Sequence, residues 1–170
     1  PMSPMPGQAS VSLGGTSFNL VARVTRKVGD QGVLYATGTE NSGVSIFVQN
    51  NKLVVDYNAF DVHLIVESDV DVPVGPSQLG VHVRRTGGKT GTISLSVDGT
   101  ANEPAELPLF MTMMSSVGPS VGYDHGSAVS QRYDGPFPFD GKLHDVTVQL
   151  LSRDAVEAER AHIASEMSRQ

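Results

Sequence analysis

The sequence predicts an all-β domain, two antiparallel sheets packed face to face, followed by one C-terminal α-helix. Three observations carry this. Apolar and polar residues alternate with a period of two in many short runs, the pattern of half-buried strands. Turn residues, drawn from 18 Gly and 10 Pro, break these runs about every eight to twelve residues, the rhythm of a sandwich or barrel. A helical period appears only after Leu150, so the strand–helix alternation that builds a parallel sheet is missing.

In the first strand, Phe18, Leu20, Ala22 and Val24 alternate with Asn19, Val21, Arg23 and Thr25. Gly29-Asp30-Gln31-Gly32 turns the chain into Val33–Ala36, and the loop from Gly38 to Gly43 follows. Val44, Ile46 and Val48 then alternate with Ser45, Phe47 and Gln49. Asn50-Asn51 closes a tight hairpin onto Lys52–Tyr57, because Asn tolerates positive φ better than most residues. His63–Glu67 and Leu79–Arg85 come next, joined by a loop containing Pro and Gly. Gly87-Gly88 leads to Thr92–Val97, and Asp98-Gly99 marks a second hairpin. The apolar run Leu107–Met114 precedes a glycine-rich segment, Ser115–Gly141, and Leu143, Val146, Val148 and Leu150 form the last strand.

Three segments result: a flexible leader over 1–15, the sandwich over 16–151 and the helix over 152–170. The leader also reads as the place where a longer protein was cut. In the helix, Asp154 and Glu157 fit a capping box, and Val156, Ile163 and Met167 form a narrow apolar stripe.

A chain of 170 residues buries roughly 70% of the surface its unfolded form exposes, enough for one core without covalent staples. The absence of Cys excludes disulfide scaffolds, thiolate metal sites and thiol nucleophiles. Eighteen acidic against 12 basic residues give a net charge of −6, which argues against nucleic acid as a partner. The most apolar stretch, Leu107–Met114, contains Pro108 and Thr112 and falls far short of the roughly 20 apolar residues a membrane span needs. No secretory signal is expected at the N-terminus.

Catalytic constellations are scarce. The five His, at 63, 82, 125, 144 and 162, show no metal-binding spacing. His63, His82 and His144 fall inside strands, where a lone His is a surface or hydrogen-bonded residue. His125 stands apart, because Asp124-His125-Gly126 is a Gly-flanked loop and loops carry sites. Asp69 with Asp71, and Asp56 with Asp61, could contribute to a Ca²⁺ site only with added carbonyl oxygens; without a continuous Asp-rich loop they read as solvated turn residues. Gly87-Gly88-Lys89-Thr90 imitates the end of a phosphate loop but joins two strands, and a Gly-x-Ser-x-Gly elbow is absent. The aromatics are more informative. Of ten Phe and Tyr, six fall in two stretches: Tyr57 and Phe60 around Asn58, and Tyr123, Tyr133, Phe137 and Phe139. Aromatics in sandwich loops stack on sugar rings or dock into partners. Phe137 and Phe139, each after a Pro, read instead as plugs at the end of the sandwich.

The run Gly122-Tyr123-Asp124-His125-Gly126-Ser127-Ala128-Val129-Ser130, continuing through Tyr133-Asp134-Gly135-Pro136-Phe137-Pro138-Phe139-Asp140-Gly141-Lys142-Leu143, resembles a segment near the C-terminus of bacterial arylsulfatases. The upstream hairpin, from Gly32 to Phe60, is similar in order, although concanavalin-like and laminin-G-like domains share its rhythm. The resemblance spans about Phe18 to Leu150 and implies a jelly-roll-like, two-sheet sandwich. It also implies an accessory role, since the family's catalytic domain and its [Cys/Ser]-x-Pro-x-Arg nucleophile motif are missing here.

Two functional expectations follow. In the first, the domain packs on a sulfatase catalytic domain and shapes its substrate entrance, with no catalysis and no cofactor of its own. Tyr57, Asn58 and Phe60 then face the partner or substrate, and Asp124 and Tyr133 set the loop geometry. In the second, the chain is a concanavalin/laminin-G-like carbohydrate-binding module. Asp124, His125 and Asp61 are then candidate Ca²⁺ ligands, and Tyr123 or Tyr133 is a stacking platform. A third, blander expectation is a homodimer made by the tail helix.

Overall fold

The alternation along the first run becomes strand β1, Ser17–Arg26, in the computed structural model of the chain. The structure describes residues 16–111, 120–124, 128–152, 156, 158 and 159. After β1 come β2 (Gly32–Gly38), β3 (Gly43–Gln49), β4 (Lys52–Ala59), β5 (Val62–Glu67), β6 (Gly75–Arg85) and β7 (Gly91–Val97). The short strands β8 (Thr100–Ala101), β9 (Ala105–Leu107) and β10 (Ser120–Val121) precede the long final strand β11 (Lys142–Leu151).

The strands form two antiparallel sheets. The first runs β11-β1-β6-β7-β8, with β9 also on β7; the second runs β10-β2-β3-β4-β5. The fold is thus the two-sheet sandwich that the alternation predicts. The β1–β2 turn carries the chain from one sheet to the other. Asn50 and Asn51 hold φ of 53° and 66° and join β3 to β4 with Gln49 opposite Lys52. Asp98 and Gly99, at 49° and 86°, do the same between β7 and β8.

The core lies between the sheets. Phe18, Leu20, Leu79, Val81, Ile93 and Leu95 of the first sheet face Leu34, Val44, Ile46, Leu53, Val55 and Tyr57 of the second, all buried. β2 shifts register between Val33 and Tyr35, so Leu34 and Tyr35 both join this core. At one end, the buried Arg26 donates to the carbonyls of Asp30 and Val72 and to Asn51 Oδ1, tying three connections together.

The leader over 1–15 lies outside the described residues, as does most of the expected helix over 152–170. Val156, Ala158 and Glu159 have helical backbone, and the Val156 N–H donates to the Ser152 carbonyl at 3.1 Å. No helix among the described residues is long and apolar enough to cross a membrane. Asp56 corrects the reading of the acid pairs as solvated turns: it sits within β4, fully buried. Phe137 is corrected too, since it covers a face of the second sheet and does not plug an end.

Tyr35 provides a test of the core. Burial pushes its pKa up to about 12, and its hydroxyl has no hydrogen-bond partner among the described residues. Removing an unsatisfied buried polar group relieves its desolvation cost, so Tyr35→Phe should stabilise the fold by about 1 kcal/mol. The expected result is a higher urea midpoint with an unchanged slope.

Candidate functional site

Strand alternation turns Phe47 of β3 and Val54 of β4 away from the central core. Left open, these would be an exposed apolar face. The connection between β10 and β11 runs back across it, and Val33, Ala36, Phe47 and Val54 form a second small core capped by Ile65, Tyr133 and Phe137. The Tyr133 and Phe137 rings meet Phe47 edge-on, at centroid distances of 5.3 and 6.2 Å, a favoured aromatic geometry. Val33 N–H donates to the Phe137 carbonyl at 2.8 Å. Arg132 pairs with Glu67 at 2.6 Å, and its carbonyl accepts from the Gln49 amide at 3.0 Å. The second sheet is therefore covered on both faces.

Beneath this strap lies a polar network. The Tyr133 hydroxyl donates to Asp124 Oδ2 and accepts from Ser45 Oγ at 2.7 Å. Asp124 Oδ2 also accepts from Val129 N–H at 2.9 Å, and Asp124 N–H donates to the Pro136 carbonyl at 2.7 Å. Burial, and then the acceptor Asp124, hold the Tyr133 pKa far above the usual phenol range. The buried Asn58 amide donates to the carbonyls of Glu40 and Val129, while its carbonyl accepts from Asp61 N–H at 2.9 Å. Both oxygens of the buried Asp56 lie on His63 Nδ1, at 2.8 and 3.0 Å. The other ring nitrogen reaches Asp61 Oδ1 at 3.4 Å.

Beside the strap, the edge of β10 and the start of β11 leave a cleft of about 520 Å³. Tyr123, Pro136, Pro138, Phe139 and Leu143 line it, with Val121, Gly122 and Gly141. Phe139 is held in place by its N–H, which donates to the Gly122 carbonyl at 3.0 Å. The walls are almost entirely apolar.

The outer face of the first sheet carries a separate polar group. His82 Nδ1 donates to Asn19 Oδ1 at 2.9 Å, and Nε2 accepts from Ser96 Oγ at 3.1 Å. Arg84 donates to the same Asn19 oxygen and to both oxygens of Glu159. Burial, then the neighbouring Arg84 charge, push the His82 pKa down, while Glu159 opposes the shift.

The structure sorts the sequence-predicted site residues. Tyr57 and Asn58 do not face a partner: both are buried. The Tyr57 ring is part of the central core and its hydroxyl accepts from Met111 N–H, while Asn58 pins two loops. Phe60 is 59% exposed at the β4–β5 turn. Tyr123 is half-buried and lines the cleft. Asp124 and Tyr133 are brought together under the strap, and His125 lies outside the described residues. Asp124 accepts protein hydrogen bonds, while the Asp61 carboxylate is 75% exposed and lies 3.4 Å from His63 Nε2. Among the described residues no group of three or more His, Asp or Glu side chains is placed to hold a metal ion. The Asp56–His63 pair was missed by sequence reading. Its signal was the shared alternation of Asp56 with Ser45, together with a hairpin that returns β5 alongside; the hairpin was illegible because its turn is Phe60-Asp61.

No family model matches this sequence, and no curated protein does. Solved structures do match. The LG4-5 domains of the mouse laminin α1 chain superpose with a TM-score of 0.65 and 13% identity, covering 87% of this chain and 39% of that one. The LG1-3 region of the laminin α2 chain gives 0.60 and 16%, covering 82% and 29%. The fold is laminin-G-like. A heptameric SAP-like pentraxin from Limulus polyphemus gives 0.50 and 12%, covering 83% of this chain and 70% of that one. The chain spans well under half the length of the two laminin chains it matches.

Two outcomes are expected. Tyr133→Phe removes the hydroxyl that bridges Asp124 and Ser45 and should destabilise by about 2 kcal/mol, with faster hydrogen exchange at the Val33 amide that the strap caps. For His82 the folded pKa lies below its ordinary value of 6.5, so between the two values the unfolded chain binds more protons. Stability should therefore fall as pH drops below about 6.5 toward the folded-state pKa, and His82→Gln should flatten that slope in urea titrations.

Proposed function

We propose that this domain is a carbohydrate-binding module, and that the cleft between β10 and β11 is its sugar site. The observation that carries this reading is the lining of the cleft. Tyr123 and Phe139 flank it and prolines complete its walls. A pyranose ring has one largely apolar face of C–H groups, which suits aromatic and proline surfaces, and a rim of hydroxyls that stay in water. Clefts of this size, mostly apolar and preformed by a rigid scaffold, are where small ligands bind. The laminin-G-like fold supports a binding role over a catalytic one, and the reading is of binding without turnover. No carboxylate lines the cleft, so the reading does not call on Ca²⁺.

The accessory-domain reading, with a sulfatase catalytic domain as partner, rests on the Gly122–Leu143 sequence alone. The exposed apolar cleft suits a free ligand at least as well as a second domain. We therefore place it second.

The test is retention on immobilised polysaccharides, followed by calorimetry with the oligosaccharides of those retained. Stacking on one aromatic ring contributes about 1 kcal/mol or more, so Tyr123→Ala should weaken affinity by roughly fivefold to tenfold with little change in the urea midpoint. Chelation should leave retention unchanged. Flat traces across the panel would reject the reading, and turnover of an aryl sulfate by the chain alone would reject its non-catalytic part.

A further inference from the structure

The turn between β4 and β5 is built against local preference. Phe60 and Asp61 hold φ of 51° and 69°, consecutive left-handed positions that favour Asn and Gly. The chain uses Asn-Asn and Asp-Gly at its other tight hairpins, with nearly the same angles. Phe137 also has positive φ, at 41°, but its ring is buried against Phe47. Phe60 gains no such burial, since it is 59% exposed. Strain held at an exposed position is a mark of function.

A second, independent observation meets at the same place. Asp56 is a carboxylate with no exposed surface, an expensive group to bury. It holds His63, which reaches forward to Asp61 Oδ1. The Asp61 N–H is fixed at the same time by Asn58 Oδ1 and the Asn41 carbonyl, both at 2.9 Å. The Asp61 side chain itself is 75% exposed. Buried polar groups thus orient a carboxylate that points into solvent beside an exposed aromatic ring.

We propose that Phe60 and Asp61 form a second sugar-contact point, specific for an uncharged glycan. The Phe60 ring takes the apolar face of a pyranose, and Asp61 accepts from its hydroxyls. Glu40 on the adjoining β2–β3 turn is exposed, and the chain carries a net charge of −6, so sulfated and uronate sugars are repelled. This point lies at the end of the second sheet opposite the cleft, because Phe139 and Asp140 meet Gln31 and Gly32 at the far end of β2. The two contacts therefore engage separate stretches of a polysaccharide. The inference rests on the glycan-binding reading.

The probes are neutral β-linked hexasaccharides of glucose, xylose and galactose, with a sulfated galactan as anionic comparator, against the full chain. Phe60→Asn gives the turn the residue its angles favour. It should raise the thermal midpoint by about 3 °C and weaken retention on the matching neutral polysaccharide at least fivefold. Asp61→Asn should keep the midpoint and weaken retention severalfold. A Phe60→Asn variant that binds like the parent while Tyr123→Ala does not would overturn this inference and leave the cleft reading standing. So would a lowered midpoint in Phe60→Asn, or tighter binding of the sulfated probe than of every neutral one. Absence of binding to every probe would remove both.

Discussion

The second sheet must bury two faces, and most of the architecture answers that constraint. One face is met by the first sheet in the usual way of a sandwich. The other carries Val33, Ala36, Phe47 and Val54, which no second sheet covers. The chain solves this with its own β10–β11 connection, laying Tyr133 and Phe137 over those residues. A loop used as a wall needs its backbone and side-chain polar groups satisfied. Asp124 does much of that work by accepting from Tyr133 and Val129, while Arg132 secures the outer margin on Glu67.

That solution also makes the cleft. Having crossed the sheet, the connection must return to β11, and it does so through Pro136, Phe137, Pro138 and Phe139. The stretch does not alternate like an extended strand, because Phe137 holds a positive φ of 41°. Phe137 goes down onto the sheet, while the flanking prolines and Phe139 are left to line the groove beside Tyr123. The stability of the strap and the shape of the candidate sugar site are therefore one feature seen from two sides.

Much of the fold was legible because it depends on local rules. The alternation in β1, β3 and β7 sets which side chains enter the core, and Asn50-Asn51 and Asp98-Gly99 announce their hairpins. The pairing of β1 with both β11 and β6 was not legible, since strand order depends on long-range contacts that period-two patterns do not encode. The site was legible only in part. Asp124 and Tyr133 stand out as a polar pair in an aromatic-rich loop, yet nothing local says that the loop folds over Ser45. The sequence sets Tyr57 at the end of a strand and Asn58 in the loop after it, because the turn that follows breaks the usual composition. In the structure they belong to a strand that continues to Ala59, and that one displacement moves both side chains out of solvent.

One consequence of this arrangement is optical. The chain has no Trp and four Tyr, so its ultraviolet emission is tyrosine emission. Tyr35 and Tyr57 are sealed in the central core, and Tyr133 is bonded to a carboxylate beneath the strap, an arrangement in which proton sharing quenches a phenol. Tyr123 alone lines the cleft. The protein thus carries an intrinsic reporter at its candidate site, against a background set by three rings that a ligand in the cleft would not touch.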